Sequence, residues 1–206
     1  CGNERTGWDC YRRFIDMFGD VVMGPYTGLT HEDFEEELVK LKKKYKAKED
    51  TDLTAEQLKE LVDVYKKVYL KKVKKPFPQN PYEQLDLSVR AVFGSWNSER
   101  ADKYRQINKI TGLFGTAVNI CTMVFGNMGP KSGTGVAFTR DGGNGHSKPM
   151  GEYLIDAQGE DVVAGIRTPK DLDDMPSEVD EVWPAAYDEL QRIMAKLEKH
   201  YKYPQD

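Results

Sequence analysis

Residues 116–140, TAVNICTMVFGNMGPKSGTGVAFTR, decide how the rest of the chain is read. The first ten, TAVNICTMVF, are too apolar and too β-branched for the surface of a helix, and they predict a buried strand. GTGVAFTR, at 133–140, predicts a second strand. Between them the glycine-rich run GNMGPKSGTG, 126–135, poses a choice between a phosphate-wrapping loop and a hairpin turn. A Gly-x-x-x-x-Gly-Lys-Ser/Thr loop needs a glycine directly before the lysine and a helix after it, because the helix N-terminus supplies the dipole and the free N–H groups. The glycine before Lys131-Ser132 is Gly129, one position too early, and strand pattern follows. A Gly-x-Gly-x-x-Gly run is also absent. The hairpin turn is the preferred reading, although glycine still permits close backbone approach to a ligand.

Upstream of this stretch the patterns are helical. The opening GWDCYRRFIDMFGDVV predicts a helix ending near Gly19. Thr30 caps a second, whose acids crowd the first turn and whose lysines crowd the last, in the order the helix dipole favours. Phe34, Leu38 and Leu41 give it an apolar face. Thr54 and Gln57 form a capping-box pattern ahead of an apolar face of Leu58, Leu61, Val62, Tyr65, Val68 and Tyr69. Lys66-Lys67 and Lys71, Lys72, Lys74 and Lys75 read as a solvated helix end rather than an anion patch. Asn80 and Pro81 start the next helix, with Leu85, Val89, Val92, Phe93 and Trp96 expected to face inward, and Ser98 caps a short helix to about Asn108. Downstream, DGGNGHSKP is a turn, and GEYLIDA and DVVAGI are short strand candidates. RTPKDLDDMPSEVDEV is a loop, and a last helix spans about Pro184 to Tyr201.

Composition narrows the function. With 206 residues, 39% hydrophobic and 31% charged, the chain suits a soluble globular fold. A net charge of −4 lacks the positive field of a nucleic-acid binder, and no apolar run approaches the ~18 residues of a membrane span. Three cysteines, Cys1, Cys10 and Cys121, without C-x-x-C spacing, argue against a disulfide framework or a zinc site and favour a reducing compartment. There is no visible targeting segment. The first residue is Cys and the last three follow a helix directly, so the chain is expected to be a piece of a larger protein. His31, His146 and His200 lack metal-ligand spacing and read as surface residues. Cys121, mid-strand, reads as an apolar filler. Acids at Glu152, Asp156, Glu160, Asp161 and Asp206 suit magnesium or ribose contacts and equally suit turns. The residues alone give a soluble α+β piece with a candidate anionic-ligand site.

The strings RRFIDMFGDVVMG, DLTAEQLKELV, TAVNICTMVFGNMG, SGTGVAFTR, GEYLIDAQGEDVVAGIRTP and LEKHY, in this order and over nearly the whole chain, resemble the pyruvate, phosphate dikinase family. The resemblance implies the family's N-terminal nucleotide-binding, ATP-grasp-like domain. Residues 1–108 would be a helical lid subdomain, and 109–206 part of an antiparallel β subdomain with a C-terminal helix. The implied whole enzyme interconverts ATP, phosphate and pyruvate with AMP, pyrophosphate and phosphoenolpyruvate through a phosphohistidine on another domain, assisted by Mg2+. None of the three histidines here would be that carrier.

The resemblance places Cys121, Thr122, Met123 and Val124 at the adenine edge, although the family usually has glutamine at position 121. It makes Thr134 and Gly135 the phosphate contacts. Asp206 matches the first acid of an Asp-x-Glu pair at the metal–nucleotide site. Departures fall in predicted loops: PYTGLTHEDF is long, DGGNG replaces an Asn-Pro turn, and SEVDEVW looks inserted. The implied partners are ATP or AMP and the phosphohistidine domain of the same parent chain, in a homo-oligomer, with neither nucleic acid nor membrane. The compartment is cytoplasmic or an organelle. The piece alone is expected to be inactive. Alternatives are a related dikinase, such as the phosphoenolpyruvate-forming water dikinase, and a non-catalytic helical interaction module.

Overall fold

The computed structural model describes residues 2–165 and 167–205, which fall into two compact units, Cys1–Thr122 and Met123–Asp206. The first is helical: α1 (Glu4–Met17), α2 (Gly24–Thr27), α3 (His31–Tyr45), α4 (Ala55–Val73), α5 (Pro81–Ser95) and α6 (Glu99–Ile107). The starts are those the capping residues predict. Thr30 N–H donates to Asp33 Oδ2 at 3.0 Å, Thr54 N–H to Gln57 Oε1 at 2.9 Å, and Tyr82 N–H to Asn80 Oδ1 at 2.9 Å. Each satisfies a donor that a helix start otherwise leaves orphaned. The core is built from the predicted faces of α3 and α4, with Leu58, Leu61, Val62 and Tyr65 fully buried against Phe34, Ile15, Phe18 and Leu29.

Two expectations for this unit are corrected. The opening helix does not end near Gly19. It widens into a π-helical segment over Phe18–Met23 and runs on into α2. Gly19 packs so tightly that a Cβ there would meet the Phe34 ring at 2.6 Å. The apolar face expected of α5 faces inward only in part: Leu85, Val92 and Phe93 are exposed, Val89 and Trp96 are half-buried, and Leu87 and Ala91 pack against the core. Periodicity marks an apolar stripe but not which neighbour covers it.

A charged network crosses the same core. Arg12 Nε donates to Asp9 Oδ1 at 2.8 Å and its Nη2 to Asp50 Oδ2 at 2.6 Å. Lys42 Nζ donates to the other Asp50 oxygen at 2.9 Å, and Arg5 Nη2 to the Asp50 carbonyl at 2.8 Å. Beside it lies Tyr65, fully buried with its ring tilted against Phe34 at 4.9 Å, whose hydroxyl has no hydrogen-bond partner among the described residues. Burial pushes the Tyr65 pKa upward, so the group stays neutral. An unsatisfied buried hydroxyl costs about 1–3 kcal/mol, so Tyr65→Phe is expected to raise the melting temperature of this unit. Thermal unfolding followed by helical circular dichroism checks this; a fall in melting temperature would mean the hydroxyl has a partner.

The second unit carries a three-stranded antiparallel sheet in the order β1-β2-β3. The strands are β1 (Gly133–Phe138), β2 (Met150–Ile155) and β3 (Lys170–Asp171), with α7 (Gly159–Val163), α8 (Val182–Tyr201) and a 3-10 helix over Leu172–Ser177; β3 and the 3-10 helix lie in the stretch expected to be loop. Its core is small: Tyr153, Leu172, Met175 and Trp183, with the Tyr153 and Trp183 rings 5.9 Å apart. Helices with a small antiparallel sheet and a C-terminal helix make the chain α+β, as its patterns predict. Two strand expectations fail. TAVNICTMVF, 116–125, forms no strand and its side chains are largely exposed, Val124 by 85%. A strand exists only through a paired neighbour, and no described residue pairs with this one. GNMGPKSGTG is therefore a turn leading into β1 rather than the turn of a hairpin. DVVAGI starts as α7 because Gln158 N–H donates to Asp161 Oδ2 at 2.9 Å, a reciprocal cap that begins a helix.

Candidate functional site

The turn at 126–132 is held by its own residues and by the segment that follows β2. Gly126 and Asn127 are buried. Gly126 C=O accepts the Ala157 N–H at 2.9 Å, and Ser132 C=O accepts the Asp156 N–H at 2.8 Å. The two ends of the turn thus rest on adjacent residues of one splint. Inside it, Ser132 Oγ accepts the Met128 N–H at 2.7 Å and lies 2.9 Å from both the Gly126 and Gly129 carbonyls. Asp156 Oδ1 accepts the Gly129 N–H at 3.0 Å from a left-handed backbone, φ +50°. Arg167 Nη1 donates to the Asp156 carbonyl at 3.0 Å and steadies that conformation.

Two buried amides complete the clamp. Gln158 Nε2 donates to Asn127 Oδ1 at 3.0 Å, and Gln158 Oε1 lies 3.5 Å from the Gly126 amide. The packing leaves no space at Gly126, where a Cβ would stand 2.1 Å from the Ala157 carbonyl oxygen. Sequence reasoning missed Asn127, Asp156 and Gln158 as a group. The available signal was QGED directly after a strand candidate.

The predicted site residues fall in two places. Thr134 and Gly135 lie on β1, opposite Leu154 and Tyr153 of β2. Thr134 is half-buried and Gly135 exposed. Met123 and Val124, at the start of the second unit, are exposed and belong to no strand; Cys121 and Thr122, at the end of the first, are likewise exposed. Backbone N–H and C=O groups left unpaired in this way can read the edge of a planar heterocycle. Asp206 lies outside the described residues. Among the described residues no three His, Cys, Asp or Glu side chains converge as cation ligands.

Local cations are already engaged. Lys131 Nζ is 3.7 Å from Asp180 Oδ2, and Arg140 pairs with Glu198. Of the histidines, His31 Nδ1 sits 3.0 Å from both Asp16 oxygens, and that hydrogen bond raises its pKa. His146 N–H donates to Asn144 Oδ1 at 2.8 Å within a turn, and the His200 ring packs edge-on against Tyr201. No described helix is long and apolar enough to cross a membrane.

The family described as pyruvate phosphate dikinase, AMP/ATP-binding domain, matches residues 30–177, which takes in helices of the first unit and all three strands of the second. Pyruvate, phosphate dikinase 1, chloroplastic, of Arabidopsis thaliana is 57% identical over 199 residues, 97% of this chain and 20% of that protein. The chloroplastic pyruvate, phosphate dikinase of Mesembryanthemum crystallinum is 58% identical over the same length. Pyruvate, phosphate dikinase 2 of Zea mays is 57% identical over 203 residues, 98% of this chain and 22% of that protein. The chain spans about a fifth of the length of the curated relatives it matches.

Proposed function

This chain belongs to the pyruvate phosphate dikinase AMP/ATP-binding family, and from that premise we propose that it forms the lid and part of the ATP-grasp core of a dikinase that interconverts ATP, phosphate and pyruvate with AMP, pyrophosphate and phosphoenolpyruvate. Residues 1–108 act as the helical lid and 109–206 as part of the β subdomain. The backbone at Cys121, Thr122, Met123 and Val124 takes the adenine edge. The Thr134 hydroxyl and the Gly135 amide take phosphate oxygens, and Asp206 contributes to magnesium binding. A phosphohistidine on another domain of the parent carries the phosphoryl group, so this piece alone turns nothing over. The parent is a homo-oligomer. Several relatives are named chloroplastic, which favours an organelle.

The observation that carries this reading is the family match across both units, together with an unpaired, exposed backbone at 121–124 running into a clamped turn. The match favours this reading over a non-catalytic helical module. Affinity of the chain itself is expected to be weak, because Arg140 is paired with Glu198 and Lys131 is a largely exposed side chain, and the strong phosphate contacts are charge-assisted ones. Titration of the 15N-labelled chain with ATP and magnesium should move the amides of residues 121–124 and of Thr134 and Gly135, with a Kd in the millimolar range, on the order of −4 kcal/mol. Micromolar affinity, or shifts centred elsewhere, would mean the site is misplaced.

A further inference from the structure

The exposed stretch at Met123 and Val124 has no strand partner among the described residues, so something other than sheet pairing must fix where its backbone points. The clamp begins two residues later. Asn127 is buried to 3% exposure and Gln158 to 8%, and their side-chain amides meet at 3.0 Å. The Gly126 carbonyl is tied to the Ala157 N–H at 2.9 Å. Thr134 and Gly135, by contrast, are held by β1–β2 pairing, which does not involve Asn127 or Gln158. The two halves of the proposed nucleotide site therefore differ in what fixes their backbone, although the segment after Gln158 also touches β1, where a Cβ on Gly159 would stand 3.8 Å from Thr134 Oγ1. One is a sheet. The other is a buried amide pair.

We propose that Gln158, through Asn127, is a positioning residue for base recognition: it aims the Met123–Val124 backbone at the heterocycle and leaves the phosphate contacts alone. This rests on the reading of the site given above. A backbone edge recognises a base only when its donor and acceptor keep their spacing to within a few tenths of an ångström, and an edge free to swing loses that contact first. A buried amide is an economical anchor, because leaving either partner unsatisfied costs more than the bond itself contributes. The prediction is a split in specificity rather than a general loss of binding.

The test titrates the labelled chain and its Gln158→Met variant with ATP and with inorganic tripolyphosphate. The shifts are read at Met123 and Val124 and, separately, at Thr134 and Gly135. Methionine keeps the side-chain length and removes the amide. In the parent sequence ATP should bind more tightly than tripolyphosphate. In the variant ATP affinity should fall roughly tenfold, the worth of about one buried hydrogen bond, while tripolyphosphate affinity stays within about twofold. Asn127→Ala removes the pair from the other side and should reproduce the split.

Equal ATP preference in the Gln158→Met variant and the parent would overturn the inference and leave the site standing. An unsubstituted chain that does not distinguish ATP from tripolyphosphate, or shows no shift at Met123 and Val124, would instead remove the site reading itself. Slowed hydrogen exchange at the β1–β2 amides reports whether the second unit is folded. If both variants unfold it, the pair carries the fold and not the edge, and the inference fails.

Discussion

Gly126→Ala is expected to unfold the second unit while the first remains folded. A Cβ at this position would stand 2.1 Å from the Ala157 carbonyl oxygen, 2.8 Å from the Gly133 carbonyl oxygen and 3.0 Å from its carbon. All three are backbone atoms, so no side chain can rotate away. The colliding oxygen belongs to the splint that takes both ends of the turn: Ala157 N–H donates to Gly126 C=O, and the neighbouring Asp156 N–H to Ser132 C=O. Relief of the clash breaks one or both bonds and pulls the Gln158 amide off Asn127. Overpacking typically costs about 1–3 kcal/mol where neighbours can yield, and a rigid backbone neighbour pushes it beyond that.

The margin available to absorb this is small. The second unit's core cluster is Tyr153, Leu172, Met175 and Trp183, with Leu154, Ala157 and Met194 also buried, and a core of that size supports only marginal stability. The expected result is loss of protection at the β1–β2 amides and exposure of the Trp183 indole, with helical circular dichroism of the first unit retained. Gly94→Ala is the matched control. It lies near the end of α5 with nothing within 4 Å of the new methyl, and alanine there should stabilise by about 0.5–1 kcal/mol. A Gly126→Ala protein with native amide protection would show that the splint can move.

Local rules made much of the first unit legible. Thr30, Thr54 with Gln57, Asn80 and Ser98 start helices because a capping side chain acts within three residues of itself. The faces of α3 and α4 are buried as their periodicity predicts. What stayed hidden depends on distant partners. Arg12 is buried in the core against Asp50, 38 residues away, and nothing local in CYRRF announces that partner. TAVNICTMVF has the composition of a strand, but pairing is a property of two segments, and no described residue supplies the other. DVVAGI shares β-branched residues with a strand, yet the Gln158–Asp161 cap decides for a helix. At the candidate site, Thr134 and Gly135 fall on the strand expected for them. The amides that clamp the preceding turn, Asn127 and Gln158, are 31 residues apart, and QGED marks one of them without pointing to the other.

Arg12→Met should destabilise the first unit by about 3 kcal/mol at neutral pH, and its pH dependence identifies the cause. The side chains of Arg12 and Asp9 are 5% and 3% exposed. Removing one partner of a buried ion pair costs about 3–5 kcal/mol, because the remaining charge is stranded away from water. Two residual cations place the loss at the low end: Arg13 Nε stays 3.2 Å from Asp9, and Lys42 Nζ 2.9 Å from Asp50.

The carboxyl chemistry sets the sign. Burial opposes ionisation of Asp50, but Arg12 and then Lys42 outweigh it and hold its pKa below the ordinary aspartate value. A group depressed in the folded state stabilises above its unfolded pKa, and that contribution is lost as pH falls through the folded one, below about pH 4. Without Arg12 the balance turns toward burial, which favours the protonated acid. The variant therefore regains relative stability as the carboxyls protonate, and its gap to the parent protein narrows as pH falls toward about 4. Urea unfolding at pH 7 and at pH 4.5, about the onset of carboxyl protonation, measures both gaps. Arg12→Met combined with Asp50→Asn should recover part of the loss at pH 7 and flatten the pH dependence, because it removes one stranded charge. A gap that stays constant with pH would assign the cost of Arg12→Met to lost packing of the guanidinium stem rather than to its charge.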